Sequence, residues 1–346
     1  MELWGRTYTR HELMKNIGDI SQVCGLRSST LDDGPGRGMR IFEVRTGGGL
    51  TFCVLPDRGM DIGWCHFNDI PISFISKVGA VSPFLCEYPN AGFLRGFTAG
   101  LLTTCGYTHM GAPCVDEGEA LGLHGRATAL PAEHAASQAN WDGDDYFMRM
   151  SGTMREAAVF GENIHTHREI RVKAGTNRIA ITDTVENCGF DAKPLMMLYH
   201  INFGHPLVSA DTKMISSESA ATQARPNDEI SESGVETCRE FQEPTHGYIE
   251  QVFYHDLIPQ DDGSVYAGLY NQALNILATV SFNNNELPYL VQWKQMGEGD
   301  YVCGIEPGTW VSAGRDKARK QGELVTIEPG ERRQFNLEIS IDSINN

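Results

Sequence analysis

Apolar residues recur along the chain in short runs, alternating with polar ones at a period of two or forming unbroken stretches, and both patterns predict strands. Residues 39–46 (MRIFEVRT) and 49–56 (GLTFCVLP) are separated by Gly47 and Gly48, a hairpin signal. Residues 168–187 alternate on both sides of Ala174-Gly175-Thr176-Asn177 and predict another hairpin. Further strands are expected at 194–203, 264–272, 274–283, 288–296, 301–307, 323–329 and 333–341. Only 10–22 and 313–320 have helical patterns. Strands this frequent, without long helices between them, predict an all-β fold: one large antiparallel β-sandwich. Residues 1–34 are expected to form an N-terminal extension with a short helix packed on a domain spanning 35–346. The polar, acidic stretch 209–247 reads as a long surface connection or as a lid over a ligand site.

Composition narrows the partners. The 346-residue chain holds 28 Lys and Arg against 45 Asp and Glu, a formal charge of −17. Phosphate backbones need a basic face, so nucleic acid is not an expected partner, and neither is an anionic membrane surface. Nine cysteines without a Cys-x-x-Cys pair argue against a zinc ribbon and against a full disulfide framework. The N-terminal residues lack the apolar core of a signal peptide, and no run approaches the ~20 apolar residues of a membrane helix. A cytoplasmic protein acting on a polar small molecule is the expectation, and a homodimer is compatible with it.

Three neighbourhoods carry candidate chemistry. His124 lies in Gly122-Leu123-His124-Gly125-Arg126, where flanking glycines allow a tight turn that leaves the imidazole reachable. His200 closes the apolar run of 194–199, and imidazole suits proton transfer near neutral pH. Glu306 ends the apolar run of 301–307 before Pro307-Gly308, where burial would tune it as a base. Each has a structural reading too: a turn histidine, a hydrogen-bonded core histidine and a turn-capping carboxylate.

Taken in order, Arg95-Gly96-Phe97, the Leu-His-Gly loop, Leu198-Tyr199-His200 and Gly304-Ile305-Glu306-Pro307 resemble the aldose 1-epimerase (galactose mutarotase-like) family. The segment 54–76, the run 185–200 and the closing strand 325–341 resemble it as well, so the likeness spans roughly 35–342. The Asp57-Arg58-Gly59-Met60-Asp61 turn and the sequence after His124 are more similar to a bacterial side branch than to the galactose enzymes. The resemblance implies a mutarotase without cofactor or metal. Glu306 would remove the proton from the C1 hydroxyl, His200 would protonate the ring oxygen, and His124 and Arg95 would bind the sugar. Asp256 is the nearest match to an Asp that holds hydroxyls. A pyranose also wants an aromatic wall, and either Trp293 or the Gln292/Lys294 pair can supply that face, because neighbours on a strand point oppositely. Trp310 is a second aromatic candidate. Arg126 and Arg58 would add positive charge and suggest an acidic or phosphorylated sugar, unless they pair with local carboxylates such as Asp57 or Asp61.

Two rival classes follow. His165 and His167, two apart on one strand with Glu169 beyond, have the spacing of a metal site and suggest a metal-dependent isomerase or lyase. A carbohydrate-binding protein without turnover would keep the sandwich and lose the chemistry.

Overall fold

The alternation becomes two packed antiparallel sheets in a computed structural model that describes residues 1–344. The first sheet runs, neighbour to neighbour, through Ser219–Ala224, Gln251–Leu257, Tyr289–Gly297, Asp300–Gly308, Met196–Gly204, Leu102–Tyr107, Asp61–Phe67, Leu50–Leu55, Arg40–Arg45 and Gly25–Thr30. The second runs through Glu133–Asp142, Asp145–Ala157, Asn163–Lys173, Arg178–Asn187, Arg332–Ser343, Ile276–Asn283, Ser264–Asn271 and Thr212–Ser216. Phe52, Ile62, Tyr199 and Ile305 of the first meet Met148, Ile170, Ile181 and Leu337 of the second in one continuous core.

Most strands of the second sheet bury one face only. Asn163–Lys173 and Arg178–Asn187 alternate buried with partly exposed positions, which explains the clean period-two pattern. Met196–Gly204 is different, being buried at every position. Its Met197, Tyr199, Ile201 and Phe203 enter the core between the sheets, whereas Met196 and Leu198 join a second apolar cluster on the outer face. Loops and the helix Arg315–Gln321 cover that outer face, and the candidate site lies beneath them.

A buried ionic network ties the sheets together just under that site. Fully buried Arg168 donates from Nε and Nη2 to the two carboxylate oxygens of Asp183 (2.8 and 2.6 Å). Its Nη1 donates to Asp61 Oδ1 (3.1 Å) and Thr104 Oγ1 (2.8 Å) on the first sheet. Tyr199 completes it by donating its hydroxyl to Asp183 (2.7 Å).

Several expectations need correction. Residues 1–34 do not stand apart, since Gly25–Thr30 pairs with Arg40–Arg45 as an edge strand and Met1, Leu3 and Leu13 are core residues. The helical stretch 10–22 resolves into the helix Arg10–Met14 and a single turn at Ile20–Gln22. The expected strand at 323–329 contracts to Thr326–Ile327. The stretch 209–247 is structured: Thr212–Ser216 and Ser219–Ala224 each extend an edge of one sheet, and the helix Glu229–Ser233 follows. The long hairpin Glu133–Asp142 with Asp145–Ala157 was not expected; its first strand is mostly small and polar, whereas Tyr146, Met148, Met150 and Met154 of the second alternate into the core.

Candidate active site

Strand register brings the carboxylate and the imidazole together. Ile201 lies opposite Ile305 and Leu198 opposite Gly308, so His200 faces Glu306 across the ladder on the outer face of the first sheet. His200 Nε2 is 3.2 Å from Glu306 Oε1. The two are not aligned as a hydrogen bond, and Glu306 Oε1 and His200 Nδ1 have no hydrogen-bond partner. A glycine makes room for this: a Cβ on Gly304 would come within 2.4 Å of Glu306 Oε1 and 3.0 Å of Trp293 Cβ.

The next strand settles the aromatic question. Val291 pairs with Glu306 and Trp293 with Gly304, and Val291 and Trp293 belong to the outer cluster. Trp293 therefore faces the site, while buried Gln292 and Lys294 point the other way and bond to the carbonyls of Cys238 and Thr237. Trp310 is buried in the outer cluster and does not line the cavity. Phe97, on the segment 88–97, stacks edge-on at 5.4 Å from His200 and 6.2 Å from Trp293.

His124 arrives on its loop as the glycines foretold. It has φ +59° and Gly125 φ +72°, and a Cβ on Gly125 would strike the carbonyl of His109 at 2.1 Å. The ring packs 5.0 Å from Phe93 and 5.8 Å from His200, and its Nδ1 is unpartnered. His124, His200, Glu306, Trp293 and Phe97 together line a cavity of about 350 Å³.

Burial dominates the electrostatics. It raises the Glu306 carboxyl well above the usual carboxylate range, reinforced by the negative charge of Glu250. It lowers His200 to about 4, an effect that the Asn202 side chain opposes. It lowers His124 to about 3, helped by the proximity of His200 and His109. Burial thus favours the uncharged form of each group, the carboxylic acid of Glu306 and the neutral imidazole of His200.

Two lining residues escaped the sequence reading. Arg225, in the middle of the stretch taken for a loop or lid, donates from Nη1 to Glu250 Oε1 (3.2 Å). Trp293 Nε1 donates to Glu250 Oε2 (2.8 Å), and Arg225 and Glu250 both border the cavity. Nothing in the local pattern marked either, since one follows an Ala/Ser strand and the other precedes an ordinary one.

The remaining candidates lie elsewhere. Asp256 is exposed at the far end of its strand from Glu250 and Val252, the residues that border the cavity. Arg95 is largely solvent-exposed, 3.8 Å from Glu87. Buried Arg58 pairs with neither Asp57 nor Asp61, which bind Arg40 and Arg168. It donates instead to the carbonyls of Val81 (3.3 Å) and Gly96 (2.8 Å), to Thr128 Oγ1 (3.3 Å) and to Cys86 Sγ (2.8 Å), anchoring the segment that carries Phe93 and Phe97. Arg126 points into a neighbouring cavity beside Glu156 (3.5 Å). His165 and His167 bond to Asn163 and Thr153, and Glu169 to Arg149, so these three do not converge. Among the described residues no cluster of three or more His, Cys, Asp or Glu could hold a metal ion.

The sandwich and its covered outer face define a galactose mutarotase-like protein. Within that class the chain belongs to the family described as a domain of unknown function (DUF4432), whose profile matches residues 36–341. A solved structure from Klebsiella pneumoniae, provisionally named an aldose 1-epimerase, is 26% identical over 91% of this chain and 83% of its own, with a TM-score of 0.86. A galactose mutarotase-like protein from Clostridium acetobutylicum is 14% identical over 93% and 100%, with a TM-score of 0.61. Galactose 1-epimerase from Lactobacillus acidophilus is 11% identical over 92% and 99%, with a TM-score of 0.59, and these last two share the fold alone. No curated protein sequence matches the chain. Among the described residues, no helix is long and apolar enough to cross a membrane.

Proposed function

We propose that the protein is an aldose 1-epimerase-like isomerase that interconverts the anomers of an aldose at the Glu306–His200 pair. The observation that carries this reading is the pair itself: two buried groups 3.2 Å apart, facing an aromatic-walled cavity. Opening a hemiacetal requires O1 to lose a proton and the ring oxygen to gain one as the C1–ring oxygen bond breaks. Transfer of the shared proton from Glu306 to His200 creates the carboxylate that accepts the O1 proton and the imidazolium that donates to the ring oxygen. Rotation about C1–C2 presents the other face of the aldehyde, and the transfers reverse with no net change in protons. Trp293 and Phe97 offer the flat faces a pyranose packs against. Neutral His124, with its unpartnered Nδ1, and the Arg225–Glu250 pair bind hydroxyls.

One observation favours a sugar-binding protein without turnover instead: burial keeps both members of the pair uncharged in the empty cavity, which costs a proton shift before chemistry. Anomer exchange followed by NMR over a panel of aldoses decides between them. Exchange by the wild type that Glu306→Gln and His200→Asn abolish supports the isomerase; sugar binding with no exchange above background supports the binder.

A further inference from the structure

A second cavity, of about 530 Å³, opens beside the first, and the two share their walls. The segment 88–97 gives Tyr88 and Asn90 to the second cavity and Phe93 and Phe97 to the first. The loop after Leu121 gives Gly122 and Gly125 to the second and Leu123 and His124 to the first. Pro113 lines both and forms the ridge between them. Both volumes fall within the roughly 300–1,000 Å³ typical of small-molecule sites.

The second cavity has a mixed apolar and polar lining. Tyr88, Pro89 and Val115 supply the apolar part. His109, Arg126 and Glu156 supply the polar part, and the Arg126 guanidinium lies over the Tyr88 ring, 5.8 Å from its centroid. His109 is only 2% exposed, and neither of its ring nitrogens has a hydrogen-bond partner. A buried polar group in that state calls for a partner, and a hydroxyl of a ligand in the cavity can supply one. Arg126 lies 3.5 Å from Glu156 and 4.0 Å from Glu119, so this part offers donors and acceptors without the surplus positive charge an anion would seek. An aromatic face beside a charge-balanced set of donors and acceptors is suited to a sugar ring, not to a phosphate or a carboxylate.

We infer that the second cavity holds a second sugar ring, so that the substrate is a reducing disaccharide or longer saccharide. Its terminal ring lies at Glu306 and His200 and its next ring lies across Pro113, between Tyr88 and His109. This rests on the reading of the first cavity as an aldose site. It also gives Arg126 a role beside the neighbouring ring and removes the reason to expect an acidic sugar.

The test compares glucose and galactose with maltose, cellobiose, lactose and melibiose on the full chain. Anomer exchange gives kcat/KM, and saturation-transfer NMR shows which ring touches the protein. Val115→Trp fills the second cavity from an exposed hairpin position, and Tyr88→Ala removes its aromatic wall. At least one disaccharide is expected to exceed its reducing monosaccharide in kcat/KM by tenfold or more. Val115→Trp and Tyr88→Ala should erase that excess while leaving monosaccharide exchange within about twofold. If no disaccharide exceeds its monosaccharide, or if the variants lower both alike, the inference is overturned. If the wild type exchanges no sugar yet both rings of a disaccharide receive saturation, and Val115→Trp removes it from the second ring, the binding inference stands and the isomerase reading falls. Saturation confined to the reducing ring, or absent from every sugar, overturns the inference.

Discussion

Glu306→Gln and His200→Asn remove the two proton carriers one at a time, and their combination asks whether they work as one unit. Each positioned proton transfer typically contributes about 10²–10⁴ in rate, which is about 2.7–5.4 kcal/mol of barrier at 1.36 kcal/mol per decade. The groups lie 3.2 Å apart in a buried site where burial favours the uncharged form of each, so in the proposed shuttle of one proton neither can do its part without the other. Loss of Glu306 leaves no carboxyl to pass a proton to His200. Loss of His200 leaves the proton on Glu306, where the carboxyl is no base. The double variant should therefore exchange anomers about as slowly as the slower single variant, giving a coupling energy of about 2.7–5.4 kcal/mol. The assay is NMR magnetisation exchange between α and β anomer signals on the best aldose of the panel, with folding checked by circular dichroism. A double variant slowed by the product of the two single losses, on the order of 10⁴–10⁸, would refute the shared proton. So would a Glu306→Gln variant that keeps wild-type exchange.

The pH profile follows from the same pair. His200 is lowered to about 4 by burial, so it takes up a second proton only below that, and exchange should hold steady from neutral pH down to about 5. An acid limb centred near the unperturbed ~6.5 of an exposed histidine would contradict the burial argument. At the alkaline end burial moves the loss of the Glu306 proton upward from the ordinary carboxylate range, so the alkaline limb should lie above that range. Gly304→Ala puts a methyl group 2.4 Å from Glu306 Oε1 and should cut kcat at least tenfold, with sugar binding by titration reduced far less; unchanged kcat would mean the carboxylate need not stay where it is. Arg168→Met leaves Asp183 and Asp61 buried beside an apolar side chain and should cost about 3–5 kcal/mol of stability in urea unfolding, and a loss below 1 kcal/mol would show that the network is not a structural tie.

The fold was legible because most strands keep a half-buried alternation or an unbroken apolar run, and turn residues separate them. The hairpin Glu133–Ala157 was not, because its first strand is mostly small and polar and is held by pairing with the second, whose buried positions are largely Met, which is not a strong strand former. The stretch 209–247 failed for a related reason: its strands add to the edges of sheets already built by others. In the site, Glu306, His200 and His124 were marked by the order of their motifs along the chain and not by local pattern alone, whereas Arg58, Arg95 and Asp256 could not be placed. An arginine's position depends on which loops pass its long side chain, and at Arg58 those are residues 81–96, distant in sequence. Arg225 and Glu250 are the converse, brought to the cavity only when two edge strands complete the sheet.

The signal that did survive has a physical basis. A strand buried on one face alternates, and a polar residue within it says little. A strand buried on both faces reads as a continuous apolar run, so any ionisable group inside it must be desolvated and must have been placed there at a cost. Met196–Gly204 and Asp300–Gly308 are such strands, and His200 and Glu306 are the ionisable interruptions on their outer faces. Antiparallel register then puts the interruptions opposite one another, because Ile201 pairs with Ile305. Two expensive groups that share one ladder position offset each other's desolvation only in part, and the unsatisfied Glu306 Oε1 and His200 Nδ1 are the remainder. That remainder is what a hemiacetal hydroxyl and a ring oxygen can satisfy.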